Sequence, residues 1–164
     1  MLCTHFFAPQ TQEQGPTQTS VAAVRVAMPP WYKVERVVDG DTVVLDMGGK
    51  ATTIRLIGLD TPEVVDPRKP VQCYGPEASQ EAHLVLDGQT VRLETDPTQG
   101  ALDKYGRTLG YLYLADGTNF DEFMIRHGYG REYTYASAYK YQSEFKVAEL
   151  QAQVEKVGLW IACH

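Results

Sequence analysis

Two short acidic motifs equip this sequence for chemistry: Asp39-Gly40-Asp41-Thr42 and, further along, Asp60-Thr61-Pro62-Glu63. The first puts a carboxylate at the start of a strand just after a glycine turn. The second puts two more just past the end of a different strand. Hard divalent cations take oxygen from carboxylates, carbonyls and water, so Asp41, Asp60 and the Thr61 carbonyl form an expected seat for calcium or magnesium. Asp-Gly and Asp-Thr-Pro are also common turn formers, and a carboxylate at a strand end is commonly just solvated. Arg55 tips the balance, because it stands inside the apolar run Ile54, Leu56, Ile57, with Asp60 and Glu63 close behind. An arginine among strand aliphatics requires an anionic partner or ligand.

A second cationic element is Asp103-Lys104-Tyr105-Gly106-Arg107, in which Lys104 and Arg107 flank an aromatic in a turn that leads into a strand. Guanidinium is a planar fork that grips two phosphate oxygens, and a tyrosine ring stacks on a base or sugar. On composition alone a solvated turn is the competing reading. The histidines His5, His83, His127 and His164 are scattered. None sits beside a serine or cysteine nucleophile with an acidic partner, so a hydrolytic triad is not supported.

The elements that must position these groups begin after Pro29 and Pro30. Val34, Val37 and Val38, then Val43, Val44 and Leu45, then Ile54, Leu56 and Ile57 are β-rich runs separated by glycine-bearing turns, and they read as a three-stranded antiparallel meander. Pro76, in a first helical turn with Glu77 and Glu81 behind it, predicts a helix from Pro76 to Asp87, stopped by Gly88. Strands follow at Thr90 to Thr95 and Thr108 to Leu114. Further helices are predicted from Phe120 to Gly128 and from Tyr139 to Val157. The expected fold is α+β: a five-stranded barrel of oligonucleotide-binding (OB) type with three α-helices.

The chain has 164 residues, and 15 Lys and Arg against 21 Asp and Glu leave a net charge of −6. Proteins that hold nucleic acid by bulk electrostatics carry a basic face, so any polyanion site here is local, fed by a bound cation and a few arginines. No apolar run approaches the roughly 20 residues of a membrane span. Residues 1–30 lack the positive start and apolar stretch of a secretory signal and are expected to be a disordered leader ahead of one domain over 31–164. The cysteines Cys3, Cys73 and Cys163 have no zinc-site spacing. Free thiols, or a Cys73–Cys163 bridge closing a loop of about 90 residues, are both open from spacing alone.

The stretch from Val34 to Trp160 resembles the staphylococcal nuclease-like (thermonuclease) family. The likeness is carried by Val38-Asp39-Gly40-Asp41-Thr42-Val43, Ile54-Arg55-Leu56, Asp60-Thr61-Pro62-Glu63, Tyr74-Gly75-Pro76-Glu77-Ala78 and Asp103-Lys104-Tyr105-Gly106-Arg107, in the family's order and spacing. The resemblance implies Ca2+ held by Asp41, Asp60 and the Thr61 carbonyl. It makes Arg55 and Arg107 phosphate clamps and Glu63 the group that activates or orients the attacking water. Lys104 and Tyr105 become substrate contacts, and Tyr133 and Tyr135 lie near the family's base-stacking tyrosines. The implied reaction is hydrolysis of DNA and RNA, with little sugar preference, to 3'-phosphate ends by a monomer.

Exported relatives often match a Cys-Tyr-Gly motif with a cysteine after a terminal Gly-Leu-Trp. The resemblance therefore implies a Cys73–Cys163 disulfide and a secreted or cell-envelope protein. The acidic charge departs from the strongly basic best-known member and implies steeper reliance on the metal. A catalytically weak or inactive nucleic-acid-binding OB module is the alternative. The intact set Asp41, Arg55, Asp60, Glu63 and Arg107 speaks against it.

Overall fold

The computed structural model describes residues 30–163, so the expected leader, apart from Pro30, lies outside the described residues. In chain order the elements are β1 (Trp31–Asp39), β2 (Thr42–Asp46), β3 (Ala51–Leu56), β4 (Leu59–Asp60), α1 (Gly75–Leu86), β5 (Thr90–Glu94), β6 (Thr108–Tyr113), α2 (Phe120–Arg126), β7 (Arg131–Glu132), α3 (Gln142–Glu155) and α4 (Leu159–Ala162). The α+β fold expected from the sequence is present. β1, β2 and β3 form the antiparallel meander, and β5 and β6 complete a closed five-stranded barrel in the order β1-β2-β3-β6-β5. The β3–β6 pairing is parallel.

The barrel closes because alternate residues on its strands are apolar and face one interior. Val43 with Leu45, Ile54 with Leu56, and Val91 with Leu93 are buried at the two-residue period of a strand. In β2, Thr42 and Val44 are buried as well, so both faces of that strand are covered. The register of β1 slips between Val34 and Arg36 and again between Val37 and Asp39. Such irregularities bend a strand and re-aim the side chains that follow, here into the Asp39-Gly40-Asp41 turn.

The three expected helices form, with shifted ends. α1 carries Pro76 in its first turn, buries Ala78, Ala82 and Leu86, and gives way to Gly88 at φ +74°. α2 opens on Asn119, whose side chain accepts from the amides of Asp121 and Glu122 at 3.0 and 3.2 Å, a capping signal present in the sequence but not read there. α3 starts at Gln142 rather than the expected Tyr139, because the Tyr139 ring is buried and its hydroxyl donates to Glu132 at 2.9 Å. A further single turn, α4, follows Gly158, where φ is +57°. The Leu159 amide donates to the Gly128 carbonyl at 2.9 Å, a Cβ on Gly128 would run into the Val157 carbonyl, and one on Gly158 would run into the Gly128 carbonyl.

A second small ribbon was also not foreseen. β4 pairs antiparallel with β7, Leu59 opposite Glu132 and Asp60 opposite Arg131, and the Tyr133 amide extends the ladder to the Gly58 carbonyl at 3.0 Å. Pairs this short carry no alternation from which they could be read.

Candidate active site

The β2–β3 pairing sets Thr42 directly opposite Arg55, so the turn ahead of β2 delivers Asp41 to the guanidinium. Asp41 Oδ2 lies 3.2 Å from Arg55 Nη2 and accepts the Thr61 amide at 3.2 Å, while Oδ1 accepts the Thr42 hydroxyl at 2.8 Å. Arg55 Nη1 donates to the carbonyls of Leu56 and Leu59 at 2.8 and 2.7 Å. Its Nη2 also reaches Asp60 Oδ1 at 3.4 Å. The anionic partners that a strand arginine requires are therefore Asp41 and Asp60, and main-chain carbonyls lock the fork in place.

The acidic groups here repel one another. Asp60 is raised above the ordinary carboxylate range, by burial first and then by Asp41, with Arg55 and Arg131 pulling the other way. Asp39, buried in the same turn, is pushed up to about 6 by burial and by the charges of Asp41 and Glu63, even though its Oδ1 accepts the Gly40 amide at 2.8 Å. Behind the site, Asp121 is fully buried and raised well above the ordinary range by that burial. Its Oδ2 accepts the Leu112 amide at 2.9 Å, and its Oδ1 has no hydrogen-bond partner among the described residues.

Glu63 is held by its own loop. Its Oε1 accepts the amides of Val65 and Asp66 at 2.8 and 3.1 Å. Its main chain is clasped by Gln72, whose Oε1 accepts the Glu63 amide at 2.9 Å and whose amide donates to the Glu63 carbonyl at 3.0 Å. The adjoining Cys73 is joined to Cys163 in a disulfide, with Cα atoms 5.9 Å apart. The loop is thereby tied to the end of α4.

Arg107 lies just ahead of β6, the parallel neighbour of β3, whose Leu109 is opposite Arg55. Asp103 organises the turn: its Oδ1 accepts the amides of Tyr105 and Arg107, both at 2.9 Å, and its Oδ2 takes Arg107 Nε at 2.7 Å. Partial burial works against ionisation of Asp103, but those bonds from Arg107 hold its carboxyl below the usual range. Tyr105, Tyr133 and Tyr135 are exposed at 70%, 45% and 68%. The last two lie 6.4 Å apart, and proximity to Tyr105 first, then to Tyr135 and Tyr133, raises the proton affinity of Lys104.

The structure thus gathers Asp41, Arg55, Asp60 and Thr61 into direct contact, with Glu63 in electrostatic range. Arg107, Lys104, Tyr105, Tyr133 and Tyr135 form an adjoining group, and no hydrogen bond or ion pair joins Arg107 to the first among the described residues. Sequence reasoning passed over Asp39 as a member of the cluster, and also Gln72, Asp121 and Arg131. Asp39 stood in a motif already singled out. The others gave no signal, since only folding brings them near.

Whether a cation fits is a question of donors. Among the described residues no three His, Cys, Asp or Glu side chains are gathered as a ready cage. What is present is hard oxygen: two carboxylates crowded on one guanidinium, with the Thr61 main chain beside them. Thr61 Oγ1 is buried beside them without a partner among the described residues. That donor chemistry suits calcium or magnesium completed by water, and suits soft metals poorly.

Strand order and site together define the class: an oligonucleotide-binding-type barrel with an arginine-centred acidic cluster on its flank. The family profile described as staphylococcal nuclease homologue matches residues 53–162. A thermonuclease of Staphylococcus hyicus is 43% identical over 148 residues, covering 90% of this chain and 85% of the relative. One from Staphylococcus intermedius is 40% identical over 146 residues, covering 89% and 83%. Endonuclease YncB of Bacillus subtilis is 35% identical over 128 residues, covering 77% of this chain and 60% of that protein. The chain belongs to the staphylococcal nuclease family and is an enzyme of the nuclease class.

Proposed function

We propose that the protein is a calcium-dependent, sugar-nonspecific nuclease that hydrolyses phosphodiester bonds of DNA and RNA to leave 3'-phosphate ends. The observation that carries this reading is the placement of one guanidinium, Arg55, between the carboxylates of Asp41 and Asp60. Asp41, Asp60 and the Thr61 carbonyl would hold the ion. When bound, it supplies positive charge against the phosphoryl oxygens.

The remaining steps belong to side chains. Arg55 Nη2 is shared between carboxylates that a cation would also claim, so it is the arm that turns to a phosphate oxygen. Arg107 is held through Nε, which leaves its outer nitrogens for the same phosphate. Both charges count most where negative charge is greatest, in the transition state. Glu63 spends Oε1 on loop amides, leaving Oε2 to orient a water and take its proton as the oxygen attacks phosphorus in line. The bond to the 5' oxygen breaks and that oxygen takes a proton from solvent. Tyr105, Tyr133 and Tyr135 provide stacking faces, and Lys104 meets a neighbouring phosphate.

All of these groups lie on one chain, so a monomer suffices. Formation of the Cys73–Cys163 bridge suits a secreted or cell-envelope protein.

The test is digestion of plasmid and of RNA at millimolar calcium. Excess chelator abolishes cutting, calcium restores it, and the products need phosphatase before a terminal transferase extends them. Arg55→Ala and Arg107→Ala each lower kcat by about 10²- to 10³-fold, with the smaller change in KM. Turnover near wild type in either variant, or digestion indifferent to chelator, refutes the reading.

A further inference from the structure

Arg131 has no part in the chemistry above, yet its charge reaches Asp60 of the acidic cluster. It faces Asp60 across the β4–β7 pair. Its guanidinium carbon sits 4.4 Å from the centre of the Trp160 ring. Arg55, Arg68, Arg92, Arg107 and Arg126 each have a carboxylate within 4.0 Å, whereas Arg131 has none among the described residues. Stacking on an aromatic face holds a guanidinium in place without consuming its donors. The outcome is a cation that is fixed, exposed and unspent.

That cation opens on an open-mouthed cavity of about 210 Å³, lined by Asp60, Gln72, Arg131 and the Cys73–Cys163 bridge among others. The cavity therefore shares a wall, Asp60, with the expected ion seat. Arg131 and Tyr133 are two residues apart on one extended segment and leave it on the same face, about 7 Å apart. A chain of nucleotides lying along this segment would run from the tyrosines to Arg131, past Asp60 on the opposite strand.

We propose that this cavity is the subsite for the nucleotide on the far side of the cleaved phosphate from the tyrosines, with Arg131 gripping its phosphate. The inference rests on the nuclease reading and adds to it a preference for substrates that extend past the cleaved bond in both directions. It also answers how an acidic protein retains a polyanion: through a fixed, unpaired guanidinium placed where the strand must pass.

The test compares two substrates at saturating calcium. Thymidine 3'-phosphate 5'-(4-nitrophenyl phosphate) has a nucleoside on one side of the cleaved phosphate only, and an oligothymidylate has nucleotides on both. In Arg131→Ala the ratio of kcat/KM, oligonucleotide over aryl ester, falls at least fivefold from the wild-type value, and Arg131→Lys recovers part of it. For the oligonucleotide the slope of log KM against log salt also drops by about 0.7, the loss of one phosphate contact to a single strand.

A ratio within twofold of wild type overturns the proposal, whether both rates fall together, which would make Arg131 only a support for Asp60, or neither does. Wild-type protein that cleaves neither substrate with calcium defeats the nuclease reading itself. Wild-type cleavage with an unchanged variant ratio defeats the subsite alone.

Discussion

Arg55 shows how much one side chain can organise when its donors are used separately. Nη1 is committed to the Leu56 and Leu59 carbonyls, and Nη2 is shared between Asp41 and Asp60. A lysine has no fork with which to divide itself in this way. Asp121 is the opposite case: a carboxyl sealed behind the site, one oxygen satisfied by the Leu112 amide and the other by nothing among the described residues. Its raised proton affinity means the folded state keeps this proton to higher pH than the unfolded chain does. Its contribution to stability is therefore greatest below the ordinary carboxylate range and is lost as pH rises. Asp121→Asn removes that dependence. Its melting temperature should exceed wild type by roughly 2–4 °C at about pH 8, with the gap closing toward about pH 4. A gap that is constant across that range, or reversed, would show that the carboxyl is satisfied in its ionised form.

At the scale of elements, the site is the place where separate pairings meet. The β2–β3 register brings Asp41 to Arg55, the β3–β6 pairing lays the strand led by Arg107 alongside, and the β4–β7 ribbon holds Asp60 against Arg131. The turn between β1 and β2 must pass very close to Thr61. A Cβ built on Gly40 would lie 2.8 Å from both Thr61 Cγ2 and Thr61 Oγ1. Gly40→Ala should therefore displace Thr61 and spread Asp41 from Asp60 while leaving the barrel intact. The expected result is a calcium concentration for half-maximal activity raised about tenfold or more, the usual effect of disturbing the support of metal ligands, with unchanged far-ultraviolet circular dichroism. Calcium activation identical to wild type would mean that the turn does not set the spacing of the carboxylates.

For the molecule as a whole, the disulfide has the longest reach. It joins residues 90 apart in sequence, from the segment that carries Glu63 to the last turn of helix. In the chain-entropy picture a loop of that size is worth about 4 to 5 kcal/mol, on the order of 10 °C in melting temperature for a domain this large. Cys163→Ser, or reduction before heating, should cost about that much. Because Gln72 clasps Glu63 next to the bridge, kcat should fall while calcium affinity holds. A melting temperature within about 2 °C of the oxidised protein would assign the bridge no structural weight.

Much of this molecule could be read from its residues because the physics involved is local. Two-residue alternation marks a strand, Pro76 with acidic neighbours marks a helix start, and a lone arginine among aliphatics announces an anionic partner. The meander, the five barrel strands, the three main helices and the family follow from such signals. What required the tertiary structure was every relation between segments with no periodic or turn signature of their own. The β4–β7 ribbon is too short to alternate, and the α4 turn depends on Gly158 meeting the Gly128 main chain. Asp121, Gln72 and Arg131 gain their surroundings only from residues beyond their own turn or helix, Leu112, Glu63 and Asp60 with Trp160 respectively. A carboxylate, an amide or a guanidinium is an ordinary surface group until folding decides whether water, charge or a ring lies against it. That decision is long-range, and single-chain patterns do not encode it legibly.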